Sequence, residues 1–155
     1  MKIDKNSYGT IALSWLISAA LTLLILKTIG MNTVGYTISV LVLLFSVFVT
    51  WFHRVPVRHT PEGDRIVTSG ADGKVVIIKK VYEKEYLKRE CMQVSVYMVF
   101  FNVHANFWPV TGKVSYYKYH PGRYLLAFLP KAAEENEHSS TAIDTGKEEI
   151  FFKQI

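Results

Sequence analysis

Two apolar segments, Tyr8 to Ile29 and Val34 to Phe52, follow one another near the N-terminus, and neither carries a charged side chain before its end. Each has the ~20 residues that a helix needs to cross a bilayer core of ~30 Å. Only Gly30-Met31-Asn32-Thr33 separates them, a run of turn-forming types. Two helices joined so tightly must be antiparallel neighbours, which predicts a helical hairpin. A secretory signal would show one short apolar core and a small-residue cleavage site, and two long consecutive segments do not fit that description. Ser14, Ser18, Ser39 and Ser46 dilute the hydropathy, so full spanning and a re-entrant hairpin both stay open.

The flanks set an orientation. Lys2 and Lys5 precede the first segment, and His53, Arg54, Arg58 and His59 follow the second, whereas the turn side offers only Lys27. Positive charge prefers the cytoplasm. Both ends, and everything after residue 53, are therefore expected on the cytoplasmic face of the cell (inner) membrane, with Trp51 and Phe52 as an interfacial anchor.

After the hairpin (residues 1–53) the composition changes. The linker Arg54-Val-Pro-Val-Arg-His-Thr-Pro61 and the turn Glu62-Gly63-Asp64 lead into a β-rich domain over 54–155. Strands are expected at Ile66–Ser69, at Gly73–Val81 with both faces buried, and at Met92–Phe101 with Met92, Val94, Val96, Met98 and Phe100 on one half-buried face. A further pair, Lys113–Tyr119 and Arg123–Leu129, is expected to form a hairpin through His120-Pro121-Gly122. Lys131–Thr145 reads as polar loop with a little helix. Glu148–Gln154 reads as a strand at the end of an unfinished sheet, whose open edge would invite association. The expected class is thus a transmembrane helical hairpin followed by a mainly-β domain with minor α content, incomplete at the C-terminus.

Charge and motif content narrow the function classes. The net charge is +5, but the basic residues are scattered among strands and turns, so nucleic acid is not an expected partner. The single cysteine, Cys91, excludes an intramolecular disulfide framework and any cysteine-based zinc cluster. The histidines lie far apart without metal-ligand spacing, and no glycine-rich phosphate cradle or G-x-S-x-G elbow occurs.

Three polar constellations stand at strand ends. In Ser69-Gly-Ala-Asp-Gly73, flanking glycines let Asp72 approach a partner, although a loop aspartate satisfying its own backbone is the commoner identity. In Phe101-Asn-Val-His-Ala-Asn-Phe-Trp-Pro-Val-Thr-Gly112, His104 stands between Asn102 and Asn106, either exchanging protons near neutral pH or tying the loop down. In Leu129-Pro-Lys-Ala-Ala-Glu-Glu-Asn-Glu-His138, Lys131, Asn136, Glu137 and His138 suit a polar head group, or simply a solvated acidic loop. His120, in its turn, is expected to be solvated.

Trp-Phe-His-Arg-Val-Pro, Ser-Gly-Ala-Asp-Gly-Lys-Val, Phe-Asn-Val-His-Ala-Asn, Tyr-His-Pro-Gly and Pro-Lys-Ala-Ala-Glu-Glu-Asn-Glu occur in that order along the chain. In this the sequence resembles the short bacterial and archaeal branch of the phosphatidylserine decarboxylase proenzymes, over essentially its whole length. The resemblance implies a carboxy-lyase that converts phosphatidylserine to phosphatidylethanolamine through a pyruvoyl Schiff base. The pyruvoyl group would come from a serine at a Gly-Ser self-cleavage site, which also frees a small C-terminal α chain as partner. No Gly-Ser dipeptide occurs in these 155 residues, so the cofactor serine is expected beyond residue 155 and the chain alone is expected to be inactive. By the same resemblance Asp72 and His104 are catalytic, and Asn102, Asn106, Lys131, Asn136 and Glu137 are candidates for substrate binding. Departures are visible too. The longer branch has two histidines where only His104 stands here, Gly70 replaces a common proline, and His138 replaces an arginine that often follows Asn-Glu. The alternative is a non-catalytic, membrane-tethered lipid-binding or scaffolding module. An anchored biotinyl or lipoyl carrier lacks a lysine at an exposed hairpin tip. Oligomeric state stays open, a homodimer among the options.

Overall fold

The computed structural model describes residues 2–61, 63, 66–126, 128–129 and 131–155. The turn expected at Glu62-Gly63-Asp64 lies outside the described residues at positions 62 and 64.

The chain opens with strand β1 (Lys2–Ile3) and a short 3₁₀ turn, then forms helices α1 (Tyr8–Thr28) and α2 (Thr33–Phe52), close to the ranges that the apolar runs predict. Asn32 punctuates them. Its Oδ1 accepts from the amides of Val34 and Gly35 at 3.0 Å each, and its Nδ2 donates to the carbonyl of Ile29 at 2.9 Å. This N-cap satisfies donors that the start of a helix otherwise orphans. The reversal is tight enough that a Cβ on Gly35 would lie 2.2 Å from the Gly30 carbonyl oxygen, so only glycine fits there.

The serines that dilute the hydropathy are explained by where they point. Ser46 Oγ lies 2.9 Å from Ser14 Oγ and 2.7 Å from Ser18 Oγ, and it also donates to the Ser14 carbonyl at 3.1 Å. Ser18, Ser39 and Ser46 are buried in the helix–helix seam, while most of the large apolar side chains face outward. Small hydroxylated residues inside and apolar residues outside is the arrangement of helices that pack in lipid, where there is no hydrophobic drive between them. Both helices are long and apolar enough to cross a bilayer. At the open end, β1 pairs antiparallel with β2 (Arg54–Val55), and the Asp4 amide donates to the His53 carbonyl at 3.1 Å, so both flanks emerge on one side.

Two compact units divide the chain. One gathers residues 1–60, 71–74 and 97–107, and the other gathers 61–70, 75–96 and 108–155. The segments that carry Asp72 and His104 thus belong with the helical hairpin.

In the second unit, β3 (Lys74–Tyr82) and β4 (Glu90–Tyr97) form a two-stranded sheet. Neither is covered as the sequence suggests. β3 is exposed along nearly its whole length rather than buried on both faces, because no other layer of the described chain packs on this ribbon. In β4 the apolar Met92 and Val94 are exposed, whereas Cys91, Gln93 and Ser95 on the other face are partly covered. β4 also stops at Tyr97, and the chain turns, with the Asn102 amide donating to the Val99 carbonyl.

A three-stranded antiparallel sheet follows, ordered β5 (Lys113–His120), β6 (His138–Asp144), β7 (Glu149–Gln154), with helix α3 (Ala132–Glu135) before β6. This corrects three expectations. His138–Asp144 is the central strand and not loop; Ser140, Thr141, Ala142 and Ile143 are its buried residues. Polar composition hid it, because a hydroxyl that finds a partner can be buried at little cost. The described residues of Arg123–Leu129 do not pair back on β5, whose neighbour is β6. The segment is held by Asn136, whose Oδ1 accepts from the Leu125 amide at 2.7 Å and whose Nδ2 donates to the Leu125 carbonyl at 2.8 Å. Gly122 permits this detour, since a Cβ there would lie 2.4 Å from the Asn136 carbonyl carbon. Ile66–Ser69 forms no strand. Thr68 instead donates twice, through its amide and its hydroxyl, to the carbonyl of Pro109.

Candidate active site

At the end of α2 the chain leaves the hairpin through His53 and Arg54; His104 is held at that end, and Asp72 is held by the linker that follows. Phe52, the last residue of α2, lies against the His104 ring with centroids 4.3 Å apart. The imidazole is exposed, and its Nδ1 lies 3.0 Å from the carbonyl oxygen of Asn102. A carbonyl only accepts, so Nδ1 carries the proton and Nε2 carries the lone pair. That tautomer is the one a general base needs. Asn102 therefore contributes its backbone, while Asn106 is exposed.

Asp72 lies in the bend before β3 and forms an ion pair with Arg58 on the linker. No hydrogen bond joins Asp72 to His104; the group on the imidazole Nδ1 is the Asn102 carbonyl, and the partner of the carboxylate is Arg58. Their partners, Phe52 and Arg58, lie six residues apart along the chain. Arg54 completes the arrangement: its guanidinium stacks 3.4 Å above the Trp51 ring and donates to the carbonyls of Trp51 at 3.2 Å and Phe101 at 2.9 Å.

The remaining predicted binding residues lie in the second unit. Lys131 starts α3, exposed and 3.9 Å from Glu135. Asn136 has both ends of its amide engaged by Leu125, as described, and Glu137 Oε2 accepts from Tyr119 at 2.5 Å. That bond, more than the burial, pushes the Tyr119 phenol up to about 12. Ionising it would place two negative charges side by side.

Sequence reading missed one cluster in that unit. His120 is half-buried rather than solvated. Its Nε2 lies 2.6 Å from Glu85 Oε1, and its ring stacks on His138 at 4.4 Å. Glu85 also accepts from Tyr116 at 3.0 Å and from Ser140 at 3.0 Å. Burial pushes the Glu85 carboxyl up, but the donors His120, Ser140 and Tyr116 outweigh it and hold the group below its ordinary range. Next to it Tyr86 stacks on Tyr116 and donates to Glu149 at 2.9 Å. The connection between β3 and β4 is thereby fastened to the three-stranded sheet. No spacing signal announces this, because the partners of Glu85 lie 31 to 55 residues from it and Glu149 lies 63 from Tyr86.

The phosphatidylserine decarboxylase family model matches residues 45–155. The chain belongs to that family. Among curated relatives, the phosphatidylserine decarboxylase proenzyme of Porphyromonas gingivalis is 36% identical over 149 residues, covering 95% of this chain and 67% of the relative. The proenzyme of Amoebophilus asiaticus is 36% identical over 157 residues, covering 100% of this chain and 70% of its own. That of Syntrophus aciditrophicus is 47% identical over 113 residues, covering 72% and 53%. The chain thus spans about two thirds of the length of the first two. No solved structure matches. Decarboxylase family membership makes the chain part of an enzyme lineage matured from a precursor, as the relatives' names state.

Proposed function

We propose that this chain is the membrane-bound part of a phosphatidylserine decarboxylase, a carboxy-lyase that leaves phosphatidylethanolamine. The observation that carries the reading is the seating of His104. Its ring rests on the last residue of an apolar helix, with Nδ1 tied to a carbonyl and the basic nitrogen left to act. A base fixed at the end of a membrane-length helix suits a reaction on a lipid head group.

The hairpin crosses the bilayer with both flanks on the cytoplasmic side, where Lys2, Lys5, His53, Arg54, Arg58 and His59 cluster. The family's pyruvoyl group, generated from a serine of the precursor, supplies a carbonyl that reacts with the substrate amine and draws electrons from the carboxylate-bearing carbon. The residues here fit such a group: an exposed imidazole in its basic tautomer accepts the proton of a serine hydroxyl during self-cleavage and moves a proton during decarboxylation. Asp72 acts with His104 in self-cleavage. Arg58, which holds the Asp72 carboxylate, is a positioning residue for that step. Asn102 orients His104 through its carbonyl, and the exposed Asn106 is the candidate on this loop for contact with the head group. Asn136 is reserved for the fold. The α chain released from the same precursor is the partner, and the bare faces of β3 and β4 are where it would add to the structure.

The test is processing. A precursor made by joining this chain to the unmatched remainder of the Porphyromonas gingivalis relative should separate into two chains on a denaturing gel. His104→Ala and Asp72→Asn should each leave it whole. Undiminished cleavage in both variants would refute the assignment.

A further inference from the structure

The turn Val99–Phe101 carries three large apolar side chains in a row, all exposed, with Phe100 61% and Phe101 67% accessible. A soluble fold would tuck such residues into its core. Here the two phenylalanines lie against the membrane-length helix instead. Phe100 stacks on Phe48 with centroids 5.4 Å apart and tilts against Phe52 at 5.6 Å, and Phe101 meets Phe48 edge-on at 6.4 Å. Phe48 stands four residues before the end of α2. At 1.5 Å rise per residue, the turn therefore reaches about 6 Å, roughly one helical turn, inside that end. The helix residues just beyond, Leu44 and Phe45, are exposed in the same way.

We propose that Val99–Phe101 is a lipid-inserting finger that dips beside α2 into the cytoplasmic leaflet and fixes His104 at head-group depth. The inference rests on the hairpin's spanning the bilayer, as argued above. Continuity of the apolar surface names the occupant: the rings extend a helix face that already needs acyl chains around it, and taking such rings out of water is favourable. The surrounding charge agrees. Arg54, stacked on Trp51, clamps the finger's backbone at Phe101, and Lys2, Lys5 and His53 stand at the same end of the hairpin. An aromatic layer under a cationic rim is the profile of an anionic membrane interface. His104 follows Phe101 by three residues and rests on Phe52. A phospholipid in that leaflet would thus present its head group to the imidazole by lateral diffusion, without leaving the bilayer.

The experiment uses the full chain with Cys91→Ser and a single cysteine at one of three positions: Phe101→Cys, Val47→Cys in α2, or Val57→Cys on the linker. Each is labelled with an NBD fluorophore and reconstituted in phosphatidylcholine vesicles containing phosphatidylglycerol. Lipids brominated along the acyl chain and aqueous iodide serve as quenchers. Phe100→Cys stands in should the Phe101 variant fail to reconstitute. The label at 101 should emit blue-shifted, lose intensity to brominated lipid and resist iodide, at a depth between those of 47 and 57. A deep label at 47 with an iodide-quenched label at 101 overturns the finger alone. A label at 101 shielded from both quenchers means protein covers it, which also overturns the finger. A label at 47 open to iodide overturns the spanning hairpin and the finger together.

Discussion

Replacing Glu85 by alanine removes the acceptor for three donors at once: His120 at 2.6 Å, Tyr116 at 3.0 Å and Ser140 at 3.0 Å. A hydrogen bond to a charged group contributes about 1.5–3 kcal/mol, so simple addition would give roughly 4–9 kcal/mol. Two effects reduce that. The carboxylate is about a quarter exposed, at 23%, so water replaces part of what is lost, and bonds within one network are not additive. Against this, the fully buried Ser140 hydroxyl loses its side-chain partner. The expected cost is about 2–4 kcal/mol, a drop in melting temperature on the order of 10–20 °C for the β-rich part. Circular dichroism of the chain in detergent micelles reads this. Hydrogen exchange should also accelerate at Tyr86 and Leu87, whose amides donate to Glu83 in the same connection. pH provides a second check. The Glu85 carboxyl is held below its usual value, so its contribution is fully present above the unfolded value, near 4.5, and disappears as pH falls through the folded one. The wild type and Glu85→Gln should therefore differ at pH 7 and converge in acid. A Glu85→Ala protein within about 0.5 kcal/mol of wild type at pH 7 would refute the reasoning.

Ser46→Ala should weaken the association of the two helices by about 0.6–1.7 kcal/mol, measured by steric trapping in bicelles; no change would mean the serine triad is incidental. In a spectrophotometric titration, Tyr119→Phe should remove a phenol ionising near pH 12, and Glu137→Gln should bring that ionisation down towards the ordinary range. Because the folded phenol is the weaker acid, its contribution to stability is fully present below pH 10 and is lost as pH rises from there through the folded value, about 12. Arg58→Gln removes only an exposed ion pair, so chain stability in urea should change by less than about 1 kcal/mol. Self-cleavage of the joined precursor should nonetheless change, since Arg58 holds Asp72.

The hairpin was legible because its constraint is local: length, absence of charge and a four-residue connection leave one arrangement. The serines were legible only as a weakness in the pattern, and their contact across the seam explains them. β7 and the cores of β3, β4 and β5 follow from β-branched and aromatic runs. What escaped is non-local. His138-Ser-Ser-Thr-Ala-Ile-Asp144 looks like loop until Glu85, more than fifty residues earlier, supplies an acceptor for Ser140. Arg123–Leu129 has the composition of a strand, but the Asn136 amide occupies its backbone. Alternation in β4 locates the strand but overruns its end at Tyr97 and misjudges its covered face, because burial depends on a layer that the alternation itself does not contain. Of the candidate site, His104 and Asp72 were visible as loop residues, whereas their immediate partners, the Asn102 carbonyl and Arg58, were not.

His104 is proposed as the working base of a phospholipid decarboxylase. Its most direct test is mass spectrometry of vesicles that contain serine-labelled phosphatidylserine and the joined precursor, with and without His104→Ala. Labelled phosphatidylethanolamine should accumulate with the intact histidine and not without it. Equal accumulation in both would contradict the account.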